Sequence, residues 1–187
     1  MEAVRFKHIF NVFIGDYPFA DKLKNEILSV LESYPDKQDR KTNVKAVMSE
    51  WDIRSSQIDR FKKYVLNELD KKDPVYAVHD LENSCVEPVF ADFWANIYSK
   101  GDYAISHQHK PARWSIVYFL KTKWYHSSLV FPMSHKKIRP KEGRFVLFPA
   151  HLEHAVPKHR FDDQRITLAG NIEYVYRSDK FQIIYNG

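Results

Sequence analysis

The chain has 187 residues, 44% of them hydrophobic and 15% aromatic, which is enough for one sizeable core, short for two, and too rich in core formers for a disordered chain. Its formal charge of +5 comes from 29 basic and 24 acidic residues spread along the sequence, so nucleic-acid binding is not indicated. The single cysteine, Cys85, excludes an intramolecular disulfide and reads as a small buried hydrophobe. No apolar run reaches the length of a signal peptide or a membrane span. A cytoplasmic, reducing compartment and no membrane partner are the expectation.

In chain order, residues 5–14 alternate imperfectly and predict an opening strand. Phe19, Leu23, Ile27, Val30, Leu31 and Tyr34 recur at helical spacing and predict a first amphipathic helix, ended by Pro35-Asp36. Residues 37–44 read as a loop, and Val47 to Ile53 fits neither period. Ser55 or Ser56 is placed to cap a second helix with a stripe of Ile58, Phe61, Val65, Leu66 and Leu69, stopped before Pro74. Neither helix can bury its stripe alone, so both are expected on one face of a sheet.

From Val75 onward the pattern is short and β-rich. Strands are predicted at Val86–Ser99, Ser115–Leu120, Leu129–Phe131, Arg144–Phe148, His154–Val156, Arg165–Tyr176 and Phe181–Tyr185, many of them separated by Gly and Pro. The basic cluster His135-Lys136-Lys137 with Arg139 and Lys141 reads as a solvated loop. Two helices followed by at least seven strands argue an α+β fold whose body is an antiparallel sandwich or jelly roll. Without repeats or low-complexity segments, residues 1–187 read as one domain, 1–74 mainly helical support and 75–187 the β-rich core.

Chemistry concentrates between Asn96 and Arg165. His107 and His109 are two apart and would share a face on a strand, and His154 follows with enough chain between to return to the same place. Neutral imidazoles suit Fe, Zn, Cu or Ni, and three of them on one side leave positions open for reactants. His151 could bind or merely flank. His8, His79, His126, His135 and His159 have no convergent partners in sequence and are assigned to surface or structure. Arg165 and Thr167 share a face of the last long strand, a guanidinium fork and a hydroxyl suited to one carboxylate. Trp114, Trp124, Tyr125 and the basic segment 135–141 lie where loops could cover a site.

These residues resemble the iron(II)- and 2-oxoglutarate-dependent oxygenases, in particular their small phage and bacterial members. The resemblance is carried by Trp94-Ala95-Asn96, His107-Gln108-His109, Ser115-Ile116-Val117-Tyr118-Phe119, Phe148-Pro149 with His154-Ala155-Val156, and Arg165-Ile166-Thr167 with Asn171. It covers roughly the last 100 residues and implies a double-stranded β-helix, the jelly-roll variant, with the helices packed on one sheet. It further implies His107 and His154 as Fe(II) ligands, Arg165 with Thr167 for the distal carboxylate of 2-oxoglutarate, and Tyr118, Asn96 or Tyr103 beside the cosubstrate. Most of that superfamily has a carboxylate where His109 stands, so His109 as third ligand raises the site charge by one unit. Ile116, where the subgroup usually has glycine, narrows that part of the strand.

The function expected is O2-dependent hydroxylation of an unidentified substrate, using Fe(II), with 2-oxoglutarate as cosubstrate. A cupin-like three-histidine metalloenzyme that does not use 2-oxoglutarate, and a non-catalytic jelly-roll binding module, are the alternatives.

Overall fold

The computed structural model describes residues 10–32, 42–72 and 86–176. After β1 (Phe13–Asp16), the apolar positions at helical spacing form α1 (Ala20–Glu32), which buries Leu23 and Ile27. Two short strands follow, β2 (Val44–Lys45) and β3 (Val47–Met48). Ser55 caps α2 (Ser56–Asp70): its side chain accepts the Ile58 N–H at 3.2 Å, satisfying a donor that the first helical turn leaves unpaired. The Glu26 carboxylate of α1 accepts the Gln57 N–H at 3.0 Å, so the two helices are joined at this end.

The β-rich part comprises β4 (Val86–Tyr98), β5 (Tyr103–His107), β6 (Trp114–Lys121), β7 (Leu129–Phe131), β8 (Lys136–Ile138), β9 (Arg144–Pro149), β10 (His154–Val156) and β11 (Arg165–Tyr176). A six-stranded sheet runs β1-β9-β6-β11-β4-β3, and a five-stranded sheet runs β2-β5-β10-β7-β8. The named strands pair antiparallel throughout. This is the expected jelly roll with two helices on one sheet. Strands β1, β2 and β3 show that the N-terminal part contributes to both sheets as well as supplying the helices.

Strand β6 explains why its sequence is apolar without a break. It lies inside the large sheet and is covered on both faces. Ile116, Tyr118 and Leu120 join the core under the helices, whereas Val117 and Phe119 join the layer between the sheets. Ile116 therefore faces the helices. Phe61 of α2 is fully buried at the centre of the helix-side core, 4.7 Å from the Tyr118 ring and 5.0 Å from Tyr17. Phe61→Ala is expected to destabilise the protein by about 3–5 kcal/mol, read as a lower urea midpoint; a change under about 1 kcal/mol would place the centre of this core elsewhere.

Some predicted boundaries move. The opening strand begins at Phe13, and residues 10–12 precede it without strand pairing. Lys136 to Ile138, read as a loop, forms an edge strand on β7. Backbone pairing does not depend on side-chain charge, and lysines on an edge discourage further pairing. The predicted strand Phe181–Tyr185, Cys85, His8 and His79 lie outside the described residues. Among the described residues no helix is long and apolar enough to cross a membrane.

Candidate metal and anion site

The space between the sheets is lined by β4 and β11 on one side and by β5 and β10 on the other. In the large sheet Tyr98 pairs with Arg165, Asn96 with Thr167 and Trp94 with Ala169, and all six line one cavity. In the small sheet His107 stands directly opposite His154, and residues opposite each other on antiparallel strands share a face.

A bulge makes that register useful. His154 pairs with His107, while Val156 pairs with Ala104, so three steps along β5 match two along β10. Regular alternation would put Ala104 and His107 on opposite faces; the extra residue turns both into the cavity. His109 lies just past the end of β5, where its backbone N–H donates to the Ala150 carbonyl at 2.8 Å and its carbonyl accepts the Ala112 N–H at 3.0 Å. Those bonds fix the short loop against the turn that follows β9.

The three rings converge. Centroid separations are 4.4 Å for His107–His154, 4.9 Å for His107–His109 and 5.1 Å for His109–His154, and one ligand nitrogen from each lies within 4.8 Å of the others. His107 Nδ1–H donates to the Ile105 carbonyl at 2.7 Å, and His154 Nδ1–H donates to the Leu152 carbonyl at 3.0 Å. A carbonyl only accepts, so Nδ1 carries the proton and Nε2 keeps the lone pair, the tautomer an orienting carbonyl imposes on a metal-binding histidine.

Burial keeps the imidazoles neutral. It pushes His107 below its ordinary pKa, His109 down to about 4 and His154 down to about 3, with the neighbouring His107 adding to the last two. The unfolded chain therefore binds more protons than the folded one as pH falls below about 6.5. Stability of the metal-free protein should be complete above about pH 7 and decline as pH falls from there toward the folded values of about 4 and 3, by up to about 1.4 kcal/mol per pH unit for each imidazole. Urea midpoints measured across that range check this; a flat profile would mean that the rings take protons freely in the fold.

Arg165 is fully buried. Its guanidinium carbon sits 4.7 Å from the Tyr98 ring centre and 5.6 Å from that of Phe119. Nε, Nη1 and Nη2 all lack a hydrogen-bond partner among the described residues. Burial pushes its pKa down, and the Tyr98 hydroxyl opposes this, close to the guanidinium but outside hydrogen-bond geometry. A buried cation without hydrogen-bond acceptors is costly unless an anion meets it. Thr167, also buried, is beside it on the same strand face. Asn96 lines the cavity too, its Oδ1 accepting the Trp94 indole N–H at 3.1 Å.

Two expected cosubstrate neighbours are elsewhere. Tyr118 points to the helix side, where it packs on Phe61, because the alternation of β6 gives the inner face to Val117 and Phe119. Tyr103 precedes the bulge and faces away from Ala104, with the Lys158 ammonium 5.8 Å from its ring centre; it does not line the cavity. His151 flanks, packing on Phe10 at 4.7 Å. Trp114 is buried on the helix side, Trp124 is exposed, and neither lines the cavity. Sequence reasoning passed over Tyr98 and Phe119, which flank the guanidinium, and Trp94, whose ring centroid is 6.0 Å from that of His109. Trp94 and Phe119 stood in recognised motifs, but neither motif assigns them a place beside the site. The pairing of Tyr98 with Arg165 needs the sheet register.

Comparison with known proteins follows the same lines. A family model described as "Putative 2OG-Fe(II) oxygenase" matches residues 131–171, a stretch that includes His154, Arg165 and Thr167. Residues 131–171 carry the signature of the 2-oxoglutarate- and iron(II)-dependent oxygenases.

Among solved structures, the viral collagen prolyl hydroxylase of Paramecium Bursaria Chlorella virus-1, in its 2OG complex, superposes with a TM-score of 0.64 at 16% identity, covering 86% of this chain and 94% of that one. A Pseudomonas putida prolyl-4-hydroxylase gives 0.60 at 18% identity, with 88% and 92% covered. HygX from Streptomyces hygroscopicus, with nickel and 2-oxoglutarate bound, gives 0.56 at 10% identity, with 88% and 83% covered. No curated protein matches the chain.

The donors suit the groups that this oxygenase fold implies. Three neutral nitrogens facing one point fit a first-row divalent metal such as Fe(II), and the unpaired Arg165 fork fits a carboxylate. The enclosed space is narrow, about 30 Å³ for the centres of water-sized molecules. That is room for about two waters, so a five-carbon dicarboxylate enters with movement of lining side chains.

Proposed function

We propose that the protein is an iron(II)- and 2-oxoglutarate-dependent dioxygenase that hydroxylates an organic substrate, with His107, His109 and His154 holding the metal and Arg165 binding the distal carboxylate of 2-oxoglutarate. The observation that carries this reading is the buried guanidinium of Arg165, without hydrogen-bond partners among the described residues, in the same cavity as three neutral imidazoles. Neither a cupin-like metal site alone nor a purely structural histidine cluster gives that cation a reason to be there.

Bound iron(II) would supply the coupling of O2 reduction to decarboxylation of the 2-oxo acid, which yields succinate and CO2 as one oxygen atom enters the substrate. The side chains do the rest by orientation and exclusion. Arg165 donates in fork geometry to the distal carboxylate, and the Thr167 hydroxyl is available for a further hydrogen bond. Tyr98 and Phe119 pack against the guanidinium and keep water from it, which strengthens its attraction for an anion. The Ile105 and Leu152 carbonyls hold His107 and His154 in the tautomer with Nε2 free. With His109 in place of a carboxylate the ligand set carries no negative charge, which adds to the attraction for a dianionic cosubstrate. A reducing, cytoplasmic compartment suits a ferrous site.

The test is O2-dependent release of labelled CO2 from 2-oxoglutarate by the Fe(II)-loaded protein. Release that requires both Fe(II) and O2 is expected, and 2-oxoglutarate left intact under those conditions would remove the proposed activity.

A further inference from the structure

Away from the three-histidine cavity, His126, His159 and Asp163 bring their ligand atoms within 4.8 Å of one another. The turn after β6 supplies His126, and the segment leading into β11 supplies the other two. Both imidazoles are buried, 4% and 1% exposed, which corrects any reading of these residues as surface histidines. Each keeps one nitrogen without a hydrogen-bond partner among the described residues, Nε2 of His126 and Nδ1 of His159.

The chemistry of those two atoms is informative. His159 Nε2–H donates to the Asp163 backbone carbonyl at 2.6 Å, so Nδ1 holds a lone pair that none of the described residues uses. His126 Nε2 lies 3.2 Å from Asp163 Oδ2 yet misses hydrogen-bond geometry. Two ligands bound to one tetrahedral ion at ordinary zinc distances stand about 3.4 Å apart, close to the separation found. In the metal-free protein Nε2 carries the proton, because Nδ1 accepts the Lys123 N–H; once that proton moves to Nδ1, Nε2 and Oδ2 stand side by side at the separation of two ligands of one ion.

We propose that His126, His159 and Asp163 form a second cation site, separate from the three-histidine cavity, which takes a divalent borderline metal such as Zn²⁺ with water completing the tetrahedron. Its role is structural. It ties the turn after β6 to the segment that ends at Arg165, and so stiffens the strand that carries the guanidinium.

Neighbouring groups set its strength. Lys123 Nζ lies 2.9 Å from Asp163 Oδ2, and the Tyr125 hydroxyl donates to the same oxygen at 3.0 Å. Lys123 N–H also donates to His126 Nδ1 at 3.2 Å. Ligation through Nε2 therefore moves the His126 proton to Nδ1, where Thr122 Oγ1 at 3.3 Å can accept it, and the Lys123 N–H bond is given up. A metal competes here with a lysine ammonium, so Lys123→Ala should tighten zinc binding by up to about fivefold.

The experiment is elemental analysis of the full chain after loading with Zn²⁺ and gel filtration. Two zinc ions are expected per wild-type chain, one in Asp163→Asn and one in His159→Gln. The double variant His107→Ala/His154→Ala, which leaves this cluster untouched, should keep one. A wild-type count that does not fall in Asp163→Asn, a double variant with none, or weaker zinc binding in Lys123→Ala would each overturn the second site and leave an ion-pair clasp. Failure of the three-histidine site shows separately, as a wild-type count of one that drops to zero in Asp163→Asn.

Discussion

Arg165→Met should abolish tight binding of 2-oxoglutarate while leaving the metal in place. The guanidinium is the charged group that Tyr98 and Phe119 bury beside Thr167. Removing one partner of a buried, hydrogen-bonded charge pair costs about 2–5 kcal/mol, a fall in affinity of about 30- to several-thousand-fold. The same variant carries a second expectation of opposite sign. In the ligand-free protein the guanidinium has no hydrogen-bond partner among the described residues, and replacing such a charge by an apolar side chain of similar length is neutral or stabilising. Calorimetric titration of metal-loaded protein reads the first effect and urea unfolding of the free protein the second. Unchanged affinity with lowered stability would make Arg165 a structural cation held by aromatic faces.

His109→Ala should lower metal affinity by more than about 100-fold, since loss of a supporting partner of a ligand already costs about 10- to 100-fold. The residue matters because the other two histidines alone leave the metal with two protein ligands. His109→Asp should retain the metal, because a carboxylate can take the imidazole's position, and it should weaken 2-oxoglutarate by lowering the site charge by one unit. Competition against a chelator gives the affinities. Full retention of metal by His109→Ala would mean that the His109 ring only packs against Trp94.

Much of this arrangement was legible in the chain. The helical stripes, the Ser55 cap and seven β-rich runs follow local rules, and six of those runs are strands, the seventh lying outside the described residues. His107, His109, His154 and Arg165 stood out because their residue types point to metal and carboxylate chemistry at spacings a jelly roll can close. What could not be read was anything set by register. The bulge in β5 decides that Ala104 and His107 face the same way and that Tyr103 faces the other. No local signal in Tyr103-Ala104-Ile105-Ser106-His107 announces it.

Tyr118 failed for a related reason. The motif containing it reads as a continuous apolar run because both faces of β6 are buried, and such a run does not reveal which face holds the site. His126 and His159 lie 33 residues apart in the sequence (159 − 126), on segments with no shared pattern, so their meeting is a product of the fold.

The most direct test of the proposed oxygenase site is anaerobic addition of 2-oxoglutarate to the Fe(II)-loaded protein, followed by visible spectroscopy. A weak charge-transfer band that needs both components, and that is lost in Arg165→Met at the same 2-oxoglutarate concentration, is the expected result. No band, with neither Fe(II) nor 2-oxoglutarate bound, would contradict it.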